Sequence, residues 1–438
     1  MKFPAKGTPH DELTATIRDA LSRDADWRGG KTWSLVYFAG DDVAAVLKDA
    51  YELAFFTNGL GPAAFKSLKK FEAEVVGMTA TLLGDPAAAG NMTSGGTESI
   101  LMAVKTARDW ALAERGITEP EMVIPITAHP AFDKAAQYLG VKVAHTPLRE
   151  DLRADVAAVS DAITADTILL VGSAPCYPFG TIDPIPELAA LAQERGIACH
   201  VDACLGGFLL PFVKLLGYSV PPWDFSVPGV TSISADLHKY GFSARGASTV
   251  MYRDAQYRRH QFFAQTEWPG GLYGSPTMTG SRPGGAIAAA WAVLNYLGED
   301  GYTRLAKVIM ETTRALVDGV NAIPGLKVLG KPDMSVFAFT SDTVDIYAVA
   351  DGLEATGWYP DRQQLPPSIH CMVTPAHRDI VKPYLADLQK AVAGVAADGP
   401  ASGGRAAMYG MLGTLPDRGA VRNVIIDSID RLTQRSDA

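Results

Sequence analysis

Two short runs of the chain place ionisable side chains where an aromatic cofactor could use them. In Ser232-Ile233-Ser234-Ala235-Asp236-Leu237-His238-Lys239-Tyr240, an apolar, β-branched lead-in delivers a lysine to the end of a buried strand, next to a histidine. In Cys199-His200-Val201-Asp202-Ala203, a similar lead-in delivers a carboxylate. An amine and an acid at strand ends of an α/β domain are what pyridoxal 5′-phosphate requires. The amine forms a Schiff base with its aldehyde, and the acid keeps the ring nitrogen protonated so that the ring can accept electrons. Lys239 needs a depressed pKa to act as a nucleophile, and burial beside cationic groups is expected to supply it. The plain alternative is a solvated lysine. For Asp202 the plain alternative is a cap on the following helix, but a carboxylate ending an apolar strand is costly unless partnered. A pyridinium N–H is one such partner.

Thr93-Ser94-Gly95-Gly96-Thr97-Glu98-Ser99 directly precedes an amphipathic helix carrying Ile100, Leu101, Val104 and Ala107. Paired glycines let the backbone approach an anion, and the helix N-terminus offers free N–H groups, so the run suits a phosphate. A Gly-Gly turn before a helix is also common. The run has neither the lysine of a nucleotide P-loop nor the spacing of a dinucleotide fingerprint. His129 ends another apolar run, before Pro130. It reads as a loop histidine or, beside an aromatic cofactor, as an imidazole stacked on the ring. His238 can donate to a cofactor phosphate. Cys176, Cys199, Cys204 and Cys371 lack zinc-type spacing, so free buried thiols and no metal site are expected.

These residues must be positioned by an alternating pattern. Apolar runs at 122–126, 141–144, 167–173, 197–202, 231–235 and 248–252 alternate with helical patterns at 98–110, 130–139, 155–163 and 186–194. Strands alternating with helices predict a mainly parallel sheet covered on both faces, with ligands bound outside the carboxyl ends of its strands. Helices are expected over 41–56 and 65–83, then in a long run from 286. Strands at 326–329, 336–339 and 370–373, a helix at 380–395, a connector at 398–405 and a helix at 421–432 complete the reading. The expected organisation is an N-terminal helical segment over 1–60, a large cofactor-binding domain over 61–300 and a small C-terminal α+β domain over 301–438. In 438 residues with a net charge of −9, non-specific nucleic-acid binding is disfavoured. No apolar stretch is long enough to span a bilayer and the N-terminus lacks a signal-peptide core, so a soluble, cytoplasmic protein is expected.

The motifs TSGGTESILMAVKTARD, HVDACLGGFLLPF, TSISADLHKYGFSARGAS and GGLYGSPTMTGSRPGG resemble those of the sphingosine-1-phosphate lyase family, bacterial members included. That family falls among the fold-type I pyridoxal-phosphate enzymes, with the group II amino-acid decarboxylases. The resemblance runs in patches from about Asp41 to the C-terminus and is dense over 91–110 and 199–285. It implies a seven-stranded, mainly parallel sheet in the large domain. Lys239 would form the Schiff base, Asp202 bind the pyridinium nitrogen, and His129 stack on the ring. Gly96, Thr97 and His238 would hold the phosphate, joined by Ser275 from the partner subunit of a homodimer with shared active sites. Tyr177 aligns with a catalytic tyrosine near the substrate. Tyr37 aligns with a tyrosine contributed by the partner chain near the substrate's phosphate. The implied reaction is retro-aldol cleavage of a 2-amino-3-hydroxy substrate to an aldehyde and an amine. In the family it converts a phosphorylated long-chain base to a fatty aldehyde and phosphoethanolamine. The alternative is α-decarboxylation of an amino acid on the same cofactor.

Two departures bear on substrate. In Asn58-Gly59-Leu60-Gly61-Pro62-Ala63, Gly61 stands where the family has a phosphate-binding histidine and Ala63 where it has an acid. Arg245 replaces a second lysine, keeping charge while changing geometry, and so still implies an anionic group on the substrate. As in the family's bacterial members, no membrane-anchoring N-terminal helix is expected.

Overall fold

The computed structural model describes residues 3–398, 405–406 and 415–432. The apolar runs of the first part of the chain pair into one seven-stranded sheet. Its strands are β1 (Ala89–Thr93), β2 (Glu121–Pro125), β3 (Lys142–Thr146), β4 (Thr167–Ser173), β5 (Ala198–Asp202), β6 (Ser232–Ala235) and β7 (Ser248–Tyr252), in the order β1-β7-β6-β5-β4-β2-β3. The pairs from β3 through β6 are parallel, and β7 runs against both its neighbours. Strands β4 to β7 are buried at every position. Burial on both faces removes the alternation of a half-exposed strand from β4, Thr-Ile-Leu-Leu-Val-Gly-Ser, while in β6, Ser-Ile-Ser-Ala, the serines are buried along with the apolar residues.

Helices α1 (His10–Leu21), α2 (Asp41–Leu53) and α3 (Lys66–Leu82) precede the sheet. Helices α4 (Gly96–Arg115), α5 (Ala131–Leu139), α6 (Val156–Ala162), α7 (Ile185–Arg195) and α8 (Leu210–Leu215) connect its strands, and α9 (Ala255–Arg258) follows it. Leu170 and Val171, adjacent on β4, belong to different cores. One core joins Val75, Val201, Ile233 and Ile309; the other joins Ile100, Val104 and Phe132. A separate hairpin, β8 (Phe263–Gln265) with β9 (Tyr273–Ser275), leads to the long α10 (Gly284–Ala322), which is interrupted at Gly298 with φ 56°. An antiparallel sheet follows in the order β10-β11-β13-β12. Its strands are β10 (Leu326–Val328), β11 (Val336–Ser341), β12 (Asp361–Gln364) and β13 (Pro367–Met372), with α11 (Ile346–Glu354) and α12 (Val381–Asp398) beside it. Helix α13 is Arg418–Leu432.

Strands β1, β12 and the β8–β9 hairpin were not expected. β1 reads Ala-Gly-Asn-Met-Thr, with no apolar run, and becomes a strand by pairing along β7. The helix expected over 41–56 stops at Leu53, leaving Phe55 and Phe56 exposed beyond its end. Of the connector expected at 398–405, residues 399–404 lie outside the described residues. All four cysteines are buried and unpaired. No helix among the described residues is long and apolar enough to cross a membrane.

The two sheets are locked together beside the key lysine. Tyr240 is fully buried; its hydroxyl donates to Val373 O at 2.8 Å and accepts from Ser335 Oγ at 2.7 Å. Gly180, with φ 70°, packs so closely that a Cβ would lie 1.8 Å from Val336 O on β11. Both the left-handed backbone and the contact demand glycine. Gly180→Ala is therefore expected to cost about 3 kcal/mol or more, measured as a lower chemical-denaturation midpoint.

Candidate functional site

The carboxyl ends of β1, β2, β4, β5 and β6 open onto a cavity of about 370 Å³, a size suited to a small-molecule ligand. Lys239, Asp202, His129, His238, Tyr177, Gly96 and Thr97, separate in sequence, all line it. Leu237 and Tyr240 on either side of the lysine pair are 0% exposed. With both packed inward, the turn after β6 presents His238 and Lys239 to the cavity.

Lys239 Nζ lies 3.0 Å from Asp236 Oδ2. Burial pulls the lysine's pKa down, but the charges of Asp236, Cys204 and Asp202 and the contact with Asp236 outweigh it, and the net shift is upward. This corrects the expectation of a depressed pKa beside cationic groups. The sequence reading counted His238 and overlooked Asp236, three residues before the lysine, whose carbonyl already accepts the Lys239 N–H at 3.3 Å.

Asp202 is 8% exposed. Its Oδ1 accepts from Cys204 N–H at 3.0 Å and from Ser234 Oγ at 3.2 Å. Burial alone would raise its pKa, but His129, Lys239 and the Cys204 hydrogen bonds bring it below the usual carboxylate value, so it stays ionised. His129 Nδ1 accepts from Ala131 N–H at 3.1 Å, leaving the proton of the neutral ring on Nε2. Burial chiefly lowers its pKa, which favours that neutral ring.

Ser94, Gly95, Gly96 and Thr97 form the start of α4 at the cavity wall. Glu98 fixes this turn: Oε2 accepts from Ser94 N–H at 2.6 Å, while Oε1 accepts from Met278 N–H at 2.9 Å and Thr279 N–H at 3.4 Å. His238 Nδ1 accepts from Ala247 N–H at 3.3 Å, so its Nε2–H is left to face the cavity. A Cβ on Gly96 would stand 2.8 Å from both Asp236 Oδ2 and Cys204 Sγ.

Tyr177 stacks on His370 of β13, with centroids 4.3 Å apart, and burial pushes its phenol up to about 12. Tyr37, expected from a partner chain, lies at this chain's own site. Its hydroxyl meets Met372 Sδ at 2.5 Å, its ring meets Tyr240 edge-on, and the Arg245 guanidinium lies 5.5 Å from its ring centre. The cause is local: Met372 N–H donates to Trp33 O at 3.1 Å, so the segment before Tyr37 follows the small sheet into the site. Arg245 is exposed and reaches back to His238 O at 3.3 Å. Ser275 is buried in β9, away from this cavity, where its Oγ donates to Thr277 O and Thr279 O. Gly61 has room for a side chain, its Cβ position meeting only Phe65 at 3.9 Å and Ala64 at 4.0 Å. Asp236, Cys204 and Glu98 are the site residues that sequence reasoning missed. Each sits inside a motif already singled out, but only the folded turns show which way they face.

A family model described as the pyridoxal-dependent decarboxylase conserved domain matches residues 2–341. The sphingosine-1-phosphate lyase of Oryza sativa subsp. japonica is 50% identical over 430 residues, covering 96% of this chain and 80% of the relative. Sphingosine-1-phosphate lyase 1 of Rattus norvegicus is 43% identical over 443 residues, 99% and 78% of the two chains. The chain belongs to the sphingosine-1-phosphate lyase family. The structure of the Burkholderia pseudomallei K96243 family member superposes with a TM-score of 0.92 at 41% identity, covering 100% of this chain and 98% of that one. Lactobacillus brevis glutamate decarboxylase, at 22% identity and a TM-score of 0.78, shares the fold, covering 90% of this chain and 94% of its own.

As a family member the protein is a fold-type I, pyridoxal-phosphate-dependent lyase. The cavity fits that cofactor on its own chemistry. It holds an amine, a buried ionised carboxylate for a ring N–H, a helix N-terminus with free N–H groups for a phosphate, and two glycines that keep the cradle open. Gly96→Ala, whose Cβ would press on Asp236 and Cys204, is expected to weaken pyridoxal-phosphate binding about tenfold or more, read by titrating the visible absorbance band, and also to lower the melting temperature of the cofactor-stripped protein.

Proposed function

We propose that this enzyme cleaves the bond between the amine-bearing and hydroxyl-bearing carbons of a phosphorylated long-chain base, giving a fatty aldehyde and phosphoethanolamine. The observation that carries the reading is the meeting of Lys239, Asp202 and Tyr177 in one cavity with Arg245 and Tyr37 beside it, in a chain similar to lyases over nearly its whole length. Pyridoxal phosphate, when bound, supplies the sink for the electron pair left as the carbon–carbon bond breaks. Lys239 would bond to its aldehyde, Asp202 would keep its ring nitrogen protonated, and His129 would stack on its ring. The N–H groups of Gly96 and Thr97 and the Nε2–H of His238 would hold the phosphate, and Ser275 of each subunit would serve the other's site.

Tyr177, held as a phenol by burial, donates a hydrogen bond to the substrate's hydroxyl oxygen and is not its base at neutral pH. Lys239 Nζ, once free as an amine, would take the hydroxyl proton. Arg245 grips the substrate's phosphate with its planar fork, with Tyr37 packed beside it. Whatever holds the phosphate fixes which bond stands perpendicular to the cofactor ring, so the anion site selects lyase chemistry over decarboxylation.

In this reading the protein is a cytoplasmic homodimer. Leu53, Phe56 and Leu272, 88%, 94% and 86% exposed, support a covered apolar surface; four unpaired cysteines suit a reducing compartment. Residues 1–60 serve the dimer contact, 61–300 bind the cofactor and 301–438 complete the site.

Purified enzyme given sphingosine 1-phosphate is expected to release aldehyde and phosphoethanolamine in equal amounts. Release of carbon dioxide from an amino acid without aldehyde would overturn the reading. Arg245→Ala is expected to raise KM for the phosphorylated base by about tenfold or more, the worth of a charged hydrogen bond, and to leave the unphosphorylated base nearly unaffected.

A further inference from the structure

Asp236 is the most deeply buried acid at the site, 1% exposed. Its ionisable neighbours are Lys239 Nζ at 3.0 Å and His238 Nε2 at 3.7 Å. The lysine approaches off the angle of a good hydrogen bond, and neither carboxylate oxygen accepts any other among the described residues. A carboxylate so placed is costly without a cation, and the nearest cation is the lysine that must react. The oxygens also stand 2.8 and 3.0 Å from the Cβ position of Gly96, directly beneath the phosphate cradle. Other groups face the pair. Asp202 and Cys204 come from the end of β5, His129 from after β2, and Tyr177 from after β4. Tyr240 adjoins the lysine in the chain, while Tyr37 and Arg245 lie on the Asp236 side. Asp202 is already engaged by Cys204 and Ser234, and no other ion pair reaches Lys239 Nζ among the described residues.

We propose that Asp236 is the counter-ion and proton carrier of Lys239 during cofactor loading. It holds the ammonium in place, and it ferries protons as the nitrogen bonds to the cofactor's aldehyde. The inference rests on the reading of Lys239 given above. Joining an ammonium to an aldehyde breaks two N–H bonds, replaces C=O by C=N, and forms two O–H bonds as the oxygen leaves as water. Asp236 Oδ2 takes a proton from Nζ, which frees the attacking lone pair, and returns it to the departing oxygen. Once the lysine's ammonium is consumed, His238 Nε2–H remains beside the carboxylate and the phosphate to keep the two anions apart.

The test uses holoenzyme stripped of cofactor, with pyridoxal phosphate added back across a range of pH and growth of the visible band followed by stopped flow. Asp236→Asn and Asp236→Ser remove the nearest charge, so burial of Lys239 is opposed only by the more distant Asp202 and Cys204. The pH midpoint of the rate is expected to move down by about one unit or more. The plateau rate is expected to fall by about 10²-fold, the scale of general acid–base catalysis. Asp236→Glu should recover part of both. A folded variant, by its melting temperature, whose midpoint stays at the wild-type pH overturns the proposal. Lys239→Ala separates the two readings. A band that persists in it overturns the role of Lys239, and the role of Asp236 with it. A band lost there beside an unmoved midpoint in Asp236→Asn overturns the role of Asp236 alone.

Discussion

Charges taken out of water must be compensated by one another, and the active cavity of this protein is organised around that requirement. Removing an ion from water costs several kcal/mol even after relaxation. Asp202, Asp236 and Lys239 share one cavity, with two of the three nearly inaccessible to solvent. Asp202 and Lys239 therefore take their charge states from their neighbours. Asp202 is kept ionised by His129, Lys239 and the hydrogen bonds of Cys204; Lys239 is kept protonated by Asp236. An apolar replacement of Asp236 would take from the lysine its nearest counter-charge, and one of Lys239 would leave two buried carboxylates without their cation, the most expensive way to break such a cluster.

The sheet is what allows the charges to meet. Parallel strands end on the same side, so residues just beyond β2, β4, β5 and β6 converge without any long excursion of the chain. The reversed strand β7 adds a backbone pair between His238 and Ala247, N–H to O at 2.9 Å, which steadies the turn carrying the lysine. The second sheet closes the cavity through aromatic side chains. Tyr240 reaches Val373, Tyr37 reaches Met372, and Tyr177 lies on His370. Tyr37 and Tyr177 thus lean on the small sheet, whereas Lys239, Asp202, His129 and Arg245 are placed by the strand ends and turns of the large one.

Much of this was legible in the residue order. Strand β4 announces itself as an apolar run; Asp202 ends β5 and the His238-Lys239 pair follows β6, while His129 follows β2 and the paired glycines follow β1. Strand β1 was not legible, because Gly90 and Asn91 carry no strand signal and pairing with β7 overrides their preferences. Strand β12, Asp-Arg-Gln-Gln, was hidden for the same reason; it is an edge strand of polar residues, among which the Arg362 side chain is buried in ion pairs with Asp351 and Glu354. Tyr37 could be aligned with a family tyrosine, but its place in this chain's own site follows from the Trp33–Met372 backbone contact, which no local pattern encodes.

The sequence by itself determined which ionisable groups stand at strand ends and which cofactor they suit, because strand period and apolar lead-ins are local properties of the chain. Only the tertiary structure decided the charge each group carries. The run containing Asp236 and Lys239 was in plain view, yet the lysine's pKa shifts opposite to the direction its sequence context suggested. The physical reason is distance: electrostatic energy rises steeply as separation and dielectric fall, and the 3.0 Å between Nζ and Oδ2 exists only once the turn after β6 has folded against the rest of the protein.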